Sequence, residues 1–291
     1  MNNITLIEVG PRDGLQGLTP LSMTDRLALI HGLAEVGLKH IEVGAMVSAK
    51  RIPAMANSEK VLIEANKFGI TASVLVPNLE GLELALQCDA KHIAVFTAAS
   101  ELFSQANSHC SINESLQRLY PVIEQAKSNG LAIRGYLSCI VDCPFTGAIP
   151  AAQVASIATE LFSMGCDEIS LGDTLGHAVP NQIASVIEQV SATIPLSALS
   201  GHYHNTYGMA LANVIRSIEL GITRFDTSAA GLGGCPYAPG ASGNLATEEL
   251  LWYCERNHLK TGVNLQHLIQ KNRAWCQRVG ITPGTGLLHS G

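Results

Sequence analysis

Two histidines one residue apart, His202-Tyr203-His204, are the sharpest chemical feature of the chain. In an extended segment, residues two apart project to the same side, so both imidazoles share a face and Tyr203 takes the other. Such a pair either chelates one cation or is hydrogen-bonded core polarity. Further candidates are Arg12, Asp13 and Gln16 early in the chain, Glu42, Asp173 and Thr174, and Cys235 and Asn244 near its end. Two imidazole nitrogens, the Asp13 carboxylate and the Asn244 amide oxygen carry one formal negative charge and leave octahedral positions open. That donor set suits Mg2+ or Mn2+ completed by substrate oxygens, and suits a closed structural zinc poorly. Arg12 beside Asp13 is either a simple ion pair between neighbours or a permanent cation for a developing oxyanion. Glu42 ends an apolar run, where burial without a partner is costly, and reads as an orienting or proton-relay carboxylate near Arg12. Asp173, in Ser170-Leu171-Gly172-Asp173-Thr174, either caps the following turn or takes part in chemistry. The loop from Ala229 to Glu249 holds five glycines, two prolines and Cys235, a composition that makes an ordered loop of unusual shape.

These residues need a scaffold that brings distant segments together, and the chain supplies a regular one. Short apolar runs predict strands at Ile4–Gly10, Ile41–Ala45, Thr71–Pro77, Ile93–Ala98, Ile133–Cys139, Glu168–Asp173, Leu199–His204 and Arg224–Ala229. Between them, helices are expected at Met23–Val36, Ser58–Phe68, Leu79–Gln87, Ile112–Ser128, Ala152–Met164, Pro180–Ser191, Tyr207–Leu220 and Leu245–Glu255. Several end on a glycine before the next strand, as at Gly37, Gly69, Gly130, Gly165 and Gly221, a repeated C-terminal cap. Eight such alternations predict a closed (β/α)8 barrel, an α/β TIM-barrel fold, as one domain over residues 1–291. The eight units span about residues 4–258, and an extra helix near Leu265–Arg278 and a glycine-rich tail follow. The rival, an open doubly wound sheet, usually carries a Gly-x-Gly-x-x-Gly turn after its first strand, and Gly10-Pro11-Arg12-Asp13-Gly14 is not that turn. In a closed barrel the eighth strand lies between the seventh and the first, so Asp13 and the Asn244 loop converge on the histidines, which favours the cation.

Composition narrows the partners. Of 291 residues, 47% are hydrophobic and 14% charged, with mean hydropathy +0.22, as for strands buried on both faces. A net charge of −6 and a pI near 5.9 argue against nucleic acid or an anionic membrane as the main partner. No apolar run reaches the roughly 18 residues of a membrane span, and the first strand follows the N-terminus at once, so a cytoplasmic location is expected. The eight cysteines read mainly as small buried hydrophobes.

At this point the chain resembles the 3-hydroxy-3-methylglutaryl-CoA lyases over nearly its whole length. The resemblance rests on Glu8-Val9-Gly10-Pro11-Arg12-Asp13-Gly14-Leu15-Gln16, Arg134-Gly135-Tyr136-Leu137-Ser138-Cys139, His202-Tyr203-His204-Asn205-Thr206-Tyr207-Gly208 and the loop from Ala230 to Glu249. It implies a divalent cation held by Asp13, His202, His204 and Asn244, and cleavage of an acyl-CoA substrate to acetyl-CoA and acetoacetate. It also implies substrate contacts from Arg12, Gln16, Tyr136 and Thr174, and a homo-oligomer, a dimer or larger. Arg12 would meet the thioester oxygen as it becomes enolate, and Cys235 would donate the proton to the acetyl carbanion. His202, Asp173 and Glu42, in that order, are candidates for the base that takes the hydroxyl proton. The chain departs from the family's common residues at Asn205, at Ala45 and Met46, and at Arg51, where a tryptophan is usual. The alternatives are a lyase for a longer branched 3-hydroxyglutaryl-CoA, a related condensing synthase, or a non-catalytic metal-stabilised barrel.

Overall fold

Eight parallel strands close into a barrel in the computed structural model, which describes residues 3–234 and 243–289. The chain runs Thr5–Glu8 (β1), His40–Ala45 (β2), Thr71–Leu75 (β3), His92–Ala98 (β4) and Ala132–Ser138 (β5). A small antiparallel hairpin of Asp142–Cys143 (β6) and Gly147–Ala148 (β7) follows. The barrel resumes with Glu168–Asp173 (β8), Leu199–Tyr203 (β9) and Arg224–Thr227 (β10). The order around the ring is β1-β10-β9-β8-β5-β4-β3-β2, and β1 closes it by pairing with both β2 and β10. The (β/α)8 expectation therefore holds, with strand ends within a few residues of those expected.

The surrounding helices are Met23–Glu35 (α1), Ser58–Ala65 (α2), Leu79–Gln87 (α3), Glu101–Ser108 (α4), Ile112–Ser128 (α5), Ala151–Met164 (α6), Pro180–Ser191 (α7), Ala210–Glu219 (α8), Thr247–Arg256 (α9) and Leu265–Val279 (α10). Their ends follow local chemistry. Ser111 and Glu114 form a reciprocal capping box on α5, and Gly165 ends α6 at φ +118°, a conformation that disfavours any side chain. Two elements escape the periodic pattern: the hairpin, whose strands have two residues each, and α4, which starts where the Ser100 hydroxyl accepts from the Phe103 N–H. The seven described cysteines are all buried, as expected of small hydrophobes. Among the described residues no helix is long and apolar enough to cross a membrane.

The seam where β1 meets β10 is held by Glu8, which is fully buried. Its Oε1 accepts from the N–H groups of Gly10 and Ala229, each at 2.8 Å, and its Oε2 accepts from the Thr247 hydroxyl at 2.6 Å. Burial pushes this carboxyl up to about 7, against the opposing pull of those three bonds. Because the folded value is raised, the contribution to stability is fully present below the unfolded value near 4.5 and is lost as pH rises through about 7. Glu8→Gln, which does not ionise, should therefore lose less stability than the wild type between about pH 5 and pH 8. Calorimetric melting at the two pH values checks this; parallel losses would show that Glu8 titrates alike in both states.

Candidate active site

Directly after β1, the chain turns tightly over Gly10–Gly14, and the Val9 carbonyl accepts from the N–H groups of Arg12, Asp13 and Gly14 at 3.1, 2.7 and 3.2 Å. This turn brings two adjacent side chains, Arg12 and Asp13, into the same cavity. No side chain fits at its ends: a Cβ on Gly10 would stand 2.6 Å from Glu8 Oε1, and one on Gly14 would stand 2.8 Å from Ser228 Oγ. On β9 the alternation works as expected, and His202 and His204 point inward with their Nε2 atoms 3.2 Å apart. Asp13 Oδ2 lies 3.9 Å from His204 Nε2, and Asp13, His202 and His204 each place a ligand atom within 4.8 Å of the others.

Asn244 joins this group by pairing with His204 as an isolated bridge, and its Nδ2 donates to Asp13 Oδ2 at 2.8 Å and to the Leu232 carbonyl at 3.3 Å. It does not cap a helix, since α9 begins after Ala246. Gln16 also binds the carboxylate, donating from Nε2 to Asp13 Oδ1 at 2.9 Å. Burial would raise the Asp13 carboxyl, but Arg12, then His202 and His204, and the Asn244 bond hold it well below the usual carboxylate range. Burial, with help from His202 and Arg12 and opposed by Asp13, pushes His204 down to about 4, so its ring is neutral near pH 7.

Arg12 is nearly covered, at 6% exposure, and its guanidinium is engaged on two sides. Nε and Nη2 donate to Glu42 Oε1 and Oε2 at 2.8 and 3.1 Å, and Nη1 donates to Asp13 Oδ1 at 2.7 Å. Glu42, on β2, completes its shell by accepting from the Tyr136 hydroxyl at 2.6 Å. Tyr136 lies between two cations, with Arg12 and Arg134 at 5.3 and 4.9 Å from its ring centre. Burial and Glu42 hold its phenol well above the usual range, so it stays a donor.

One residue that sequence reasoning missed is Asp226, on β10. Its Oδ2 takes His202 Nδ1 at 2.9 Å and the Ser170 hydroxyl at 3.2 Å, while its Oδ1 takes Arg134 Nη2 at 2.5 Å. The carboxylate fixes His202 with its proton on Nδ1 and its lone pair on Nε2, facing the cavity. The signal was the alternation along Arg224-Phe225-Asp226-Thr227, where a charged residue sits deep in an otherwise inward layer.

The structure brings Arg12, Asp13, Gln16, Tyr136, Thr174, His202 and His204 to the wall of one cavity of about 1220 Å3 at the C-terminal end of the barrel. Thr174 reaches it while its hydroxyl accepts from the Cys139 N–H at 2.9 Å. Asp173 is not brought in: Oδ2 accepts from the Ala178 N–H at 3.1 Å and closes the turn after β8, and burial pushes the carboxyl up to about 6. Cys235 lies outside the described residues.

The donor set fits a divalent cation. Two imidazole nitrogens 3.2 Å apart, one of them fixed as a lone pair, repel unless a proton or cation lies between them, and the Asp13 carboxylate stands beside them. A barrel with polar side chains gathered at its C-terminal strand ends is the arrangement of TIM-barrel enzymes, and the buried Asp13, His202 and His204 group could hold a metal. Residues 3–274 match the HMGL-like family model, and the chain belongs to that family of carbon–carbon lyases. It is 47% identical to the hydroxymethylglutaryl-CoA lyase of Pseudomonas mevalonii, over 93% of this chain and 90% of that one. It is 45% identical to the 3-hydroxy-3-isohexenylglutaryl-CoA/hydroxy-methylglutaryl-CoA lyase of Pseudomonas aeruginosa, over 97% and 95%. The crystal structure of hydroxymethylglutaryl-CoA lyase from Pseudomonas aeruginosa superposes with a TM-score of 0.96 at 44% identity, covering 99% of this chain and 97% of that one.

Proposed function

We propose that the protein cleaves 3-hydroxy-3-methylglutaryl-CoA to acetyl-CoA and acetoacetate. The observation that carries this reading is the convergence of Asp13, His202 and His204 beside Arg12 in one cavity, in a chain of the HMGL-like family. Asp13, His202 and His204 would hold Mg2+ or Mn2+, with Asn244 turning its amide to join them. Bound there, the cation would supply Lewis acidity to the substrate's tertiary hydroxyl and free carboxylate.

The chain's own residues do the rest. A guanidinium has five N–H groups, and Arg12 spends three on Glu42 and Asp13, which leaves one on each Nη for the thioester oxygen as it gains charge. A donor of this kind stabilises an oxyanion by roughly 3 kcal/mol. Glu42 and Tyr136 keep Arg12 at a fixed angle, so this stabilisation needs no reorganisation. Asp173 faces away, Glu42 has both oxygens bonded, and His202 would have its Nδ1 on Asp226 and its Nε2 on the cation, so none of the three candidate bases keeps a site for the hydroxyl proton while the cation is bound. The proton returned to the acetyl carbon is assigned to Cys235 on its sequence context. A homo-oligomer in the cytoplasm is the expected setting, tested by sizing and fractionation.

The direct test is incubation with Mg2+ and the CoA ester, followed by product analysis; acetyl-CoA and acetoacetate in equal amounts are expected, and intact substrate would end the reading. A longer 3-alkyl chain is the second reading. Met46, Leu75, Leu84, Phe96 and Phe103 line the cavity and exceed what one methyl group requires. Comparison of kcat/KM for the methyl and isohexenyl esters decides between them.

Asp226 offers a separate test of the cation. If its carboxylate fixes His202, Asp226→Asn should weaken Mn2+ binding by about 10–100-fold, as is typical when a partner of a metal-binding histidine is lost. Titration followed by Mn2+ magnetic resonance reads this without turnover. Unchanged affinity would make Asp226 a structural partner of Arg134 and Ser170.

A further inference from the structure

On β5, residues two apart share a side of the strand, so Arg134, Tyr136 and Ser138 project together. Tyr136 and Ser138 line the cavity, whereas Arg134, nearer the N-terminal end of the barrel, does not. We propose that Arg134 is a positioning residue shared by both halves of the site. Through Asp226 it aims His202 at the cation, and through Tyr136 it holds the Glu42–Arg12 pair for the enolate oxygen. The proposal rests on the functional reading above and adds what keeps its two parts aligned.

The guanidinium of Arg134 forks between two chains of bonds. Its Nη2 donates to Asp226 Oδ1 at 2.5 Å and to the Ser200 hydroxyl at 2.7 Å, and its Nη1 donates to the Tyr136 hydroxyl at 3.2 Å. Asp226 in turn holds His202 Nδ1 at 2.9 Å. Because Asp226 Oδ2 serves His202 and Ser170 while Oδ1 takes Arg134, the fork sets the rotation of the carboxylate that sets the imidazole. On the other side the Tyr136 hydroxyl donates to Glu42 Oε2 at 2.6 Å, and Glu42 grips Arg12 with both oxygens. One buried side chain therefore stands at the root of both His202 and Arg12.

Stability alone does not call for a cation here. The Arg134 Nε stands 2.9 Å from Glu168 Oε1, and Glu168 Oε2 takes Arg224 Nε at 2.7 Å, so two arginines balance the two carboxylates Glu168 and Asp226. Desolvating such groups offsets most of what their pairing contributes, and branched apolar side chains usually fill this part of a barrel. What the guanidinium supplies and an apolar residue cannot is direction. A lysine keeps the charge but not the fork, since a single nitrogen cannot serve Asp226 and Tyr136 as the two ends of a planar group do. The Tyr136 ring also packs edge-on against His202, with centres 5.9 Å apart, so removing only its hydroxyl leaves that contact in place.

The test keeps the charge and removes the fork. Arg134→Lys should weaken Mn2+ binding by about tenfold, read by magnetic resonance without turnover. At saturating Mn2+ it should lower kcat by about tenfold and change KM for the CoA ester by less than about twofold, because the thioester oxygen needs Arg12 most as it gains charge. In an Asp226→Asn background the Mn2+ penalty of Arg134→Lys should shrink to less than about twofold, and in a Tyr136→Phe background the kcat penalty should do the same. Penalties that persist in full in both backgrounds overturn the assignment. So does a lower melting temperature with Mn2+ affinity and kcat unchanged, which would make Arg134 a part of the fold alone. If Arg134→Lys does not fold, Tyr136→Phe and Asp226→Asn carry the test, since the Tyr136 hydroxyl and Asp226 are bonded to each other only through Arg134. Their combined loss of kcat should fall short of the product of the single losses by at least about threefold, and a full product overturns the proposal. If the wild type leaves the ester intact, the functional reading fails, and the Mn2+ titrations still decide whether Arg134 acts through Asp226.

Discussion

Arg12→Gln should lower kcat by about a hundredfold or more and should also destabilise the fold. The first effect follows from loss of the two N–H groups that Glu42 and Asp13 leave unused on a side chain lining the cavity, where the proposed enolate oxygen would need them. The second follows from Glu42, which has no solvent exposure and relies on Arg12 for two of its three hydrogen bonds. The bidentate pair ties Arg12 to the fold as well as to the cavity. Breaking a buried pair from one side typically costs about 3–5 kcal/mol, because a charge is left uncompensated. The double variant Arg12→Gln/Glu42→Gln separates the two effects, since it removes both charges together. Its melting temperature should recover much of the loss while kcat stays low. Recovery of turnover along with stability would show that Arg12 serves the fold alone.

Exhaustive removal of divalent cations should abolish cleavage, and Mg2+ or Mn2+ should restore it. His204→Ala should not be rescued, because one of three converging ligands is gone and an alanine leaves no donor. The variant should still fold: the seam bonds of Glu8 and the ladder of β9 with β8 do not use the imidazole. Mn2+ titration of the folded variant checks the loss of affinity directly. Full activity in demetallated wild type would end the metal reading.

Much of this architecture is legible in the sequence because each βα unit repeats the same local signals. Ser58, Leu79, Ile112 and Pro180 begin helices as expected, and Gly165 and Gly221 follow helix ends in left-handed conformations. His202 and His204 were legible for the same reason: a period of two on a strand is a geometric certainty once the strand is recognised. What escaped was set by tertiary contacts. The partnership of Glu42 with both Arg12 and Tyr136 joins three strands or their loops, and sequence reasoning anticipated only its proximity to Arg12. Asp226 was missed although its alternation was readable, because nothing local shows that His202 needs a carboxylate. Asp173 was open to two readings; on β8, Ser170 reaches Asp226 on the inside, and three positions on, Asp173 falls on the opposite face and closes a turn. Helix α4 is eight residues and lies inside what reads as a loop, and its start depends on one serine hydroxyl.

The seam between β1 and β10 has a consequence for how the molecule comes into being. The bond of Asn244 to Asp13 spans 231 residues of chain, and those of Glu8 to Ala229 and Thr247 span 221 and 239. During synthesis Asp13 emerges first and waits for nearly the whole polypeptide before its partners exist. Loop closure over such a span is among the slowest kinds of contact to form, since its entropic cost precedes any reward. An N-terminal fragment that stops short of β9, however well its early βα units pack, lacks the two histidines that face Asp13. The Asp13, His202 and His204 group therefore comes together only when the last strands have joined the first.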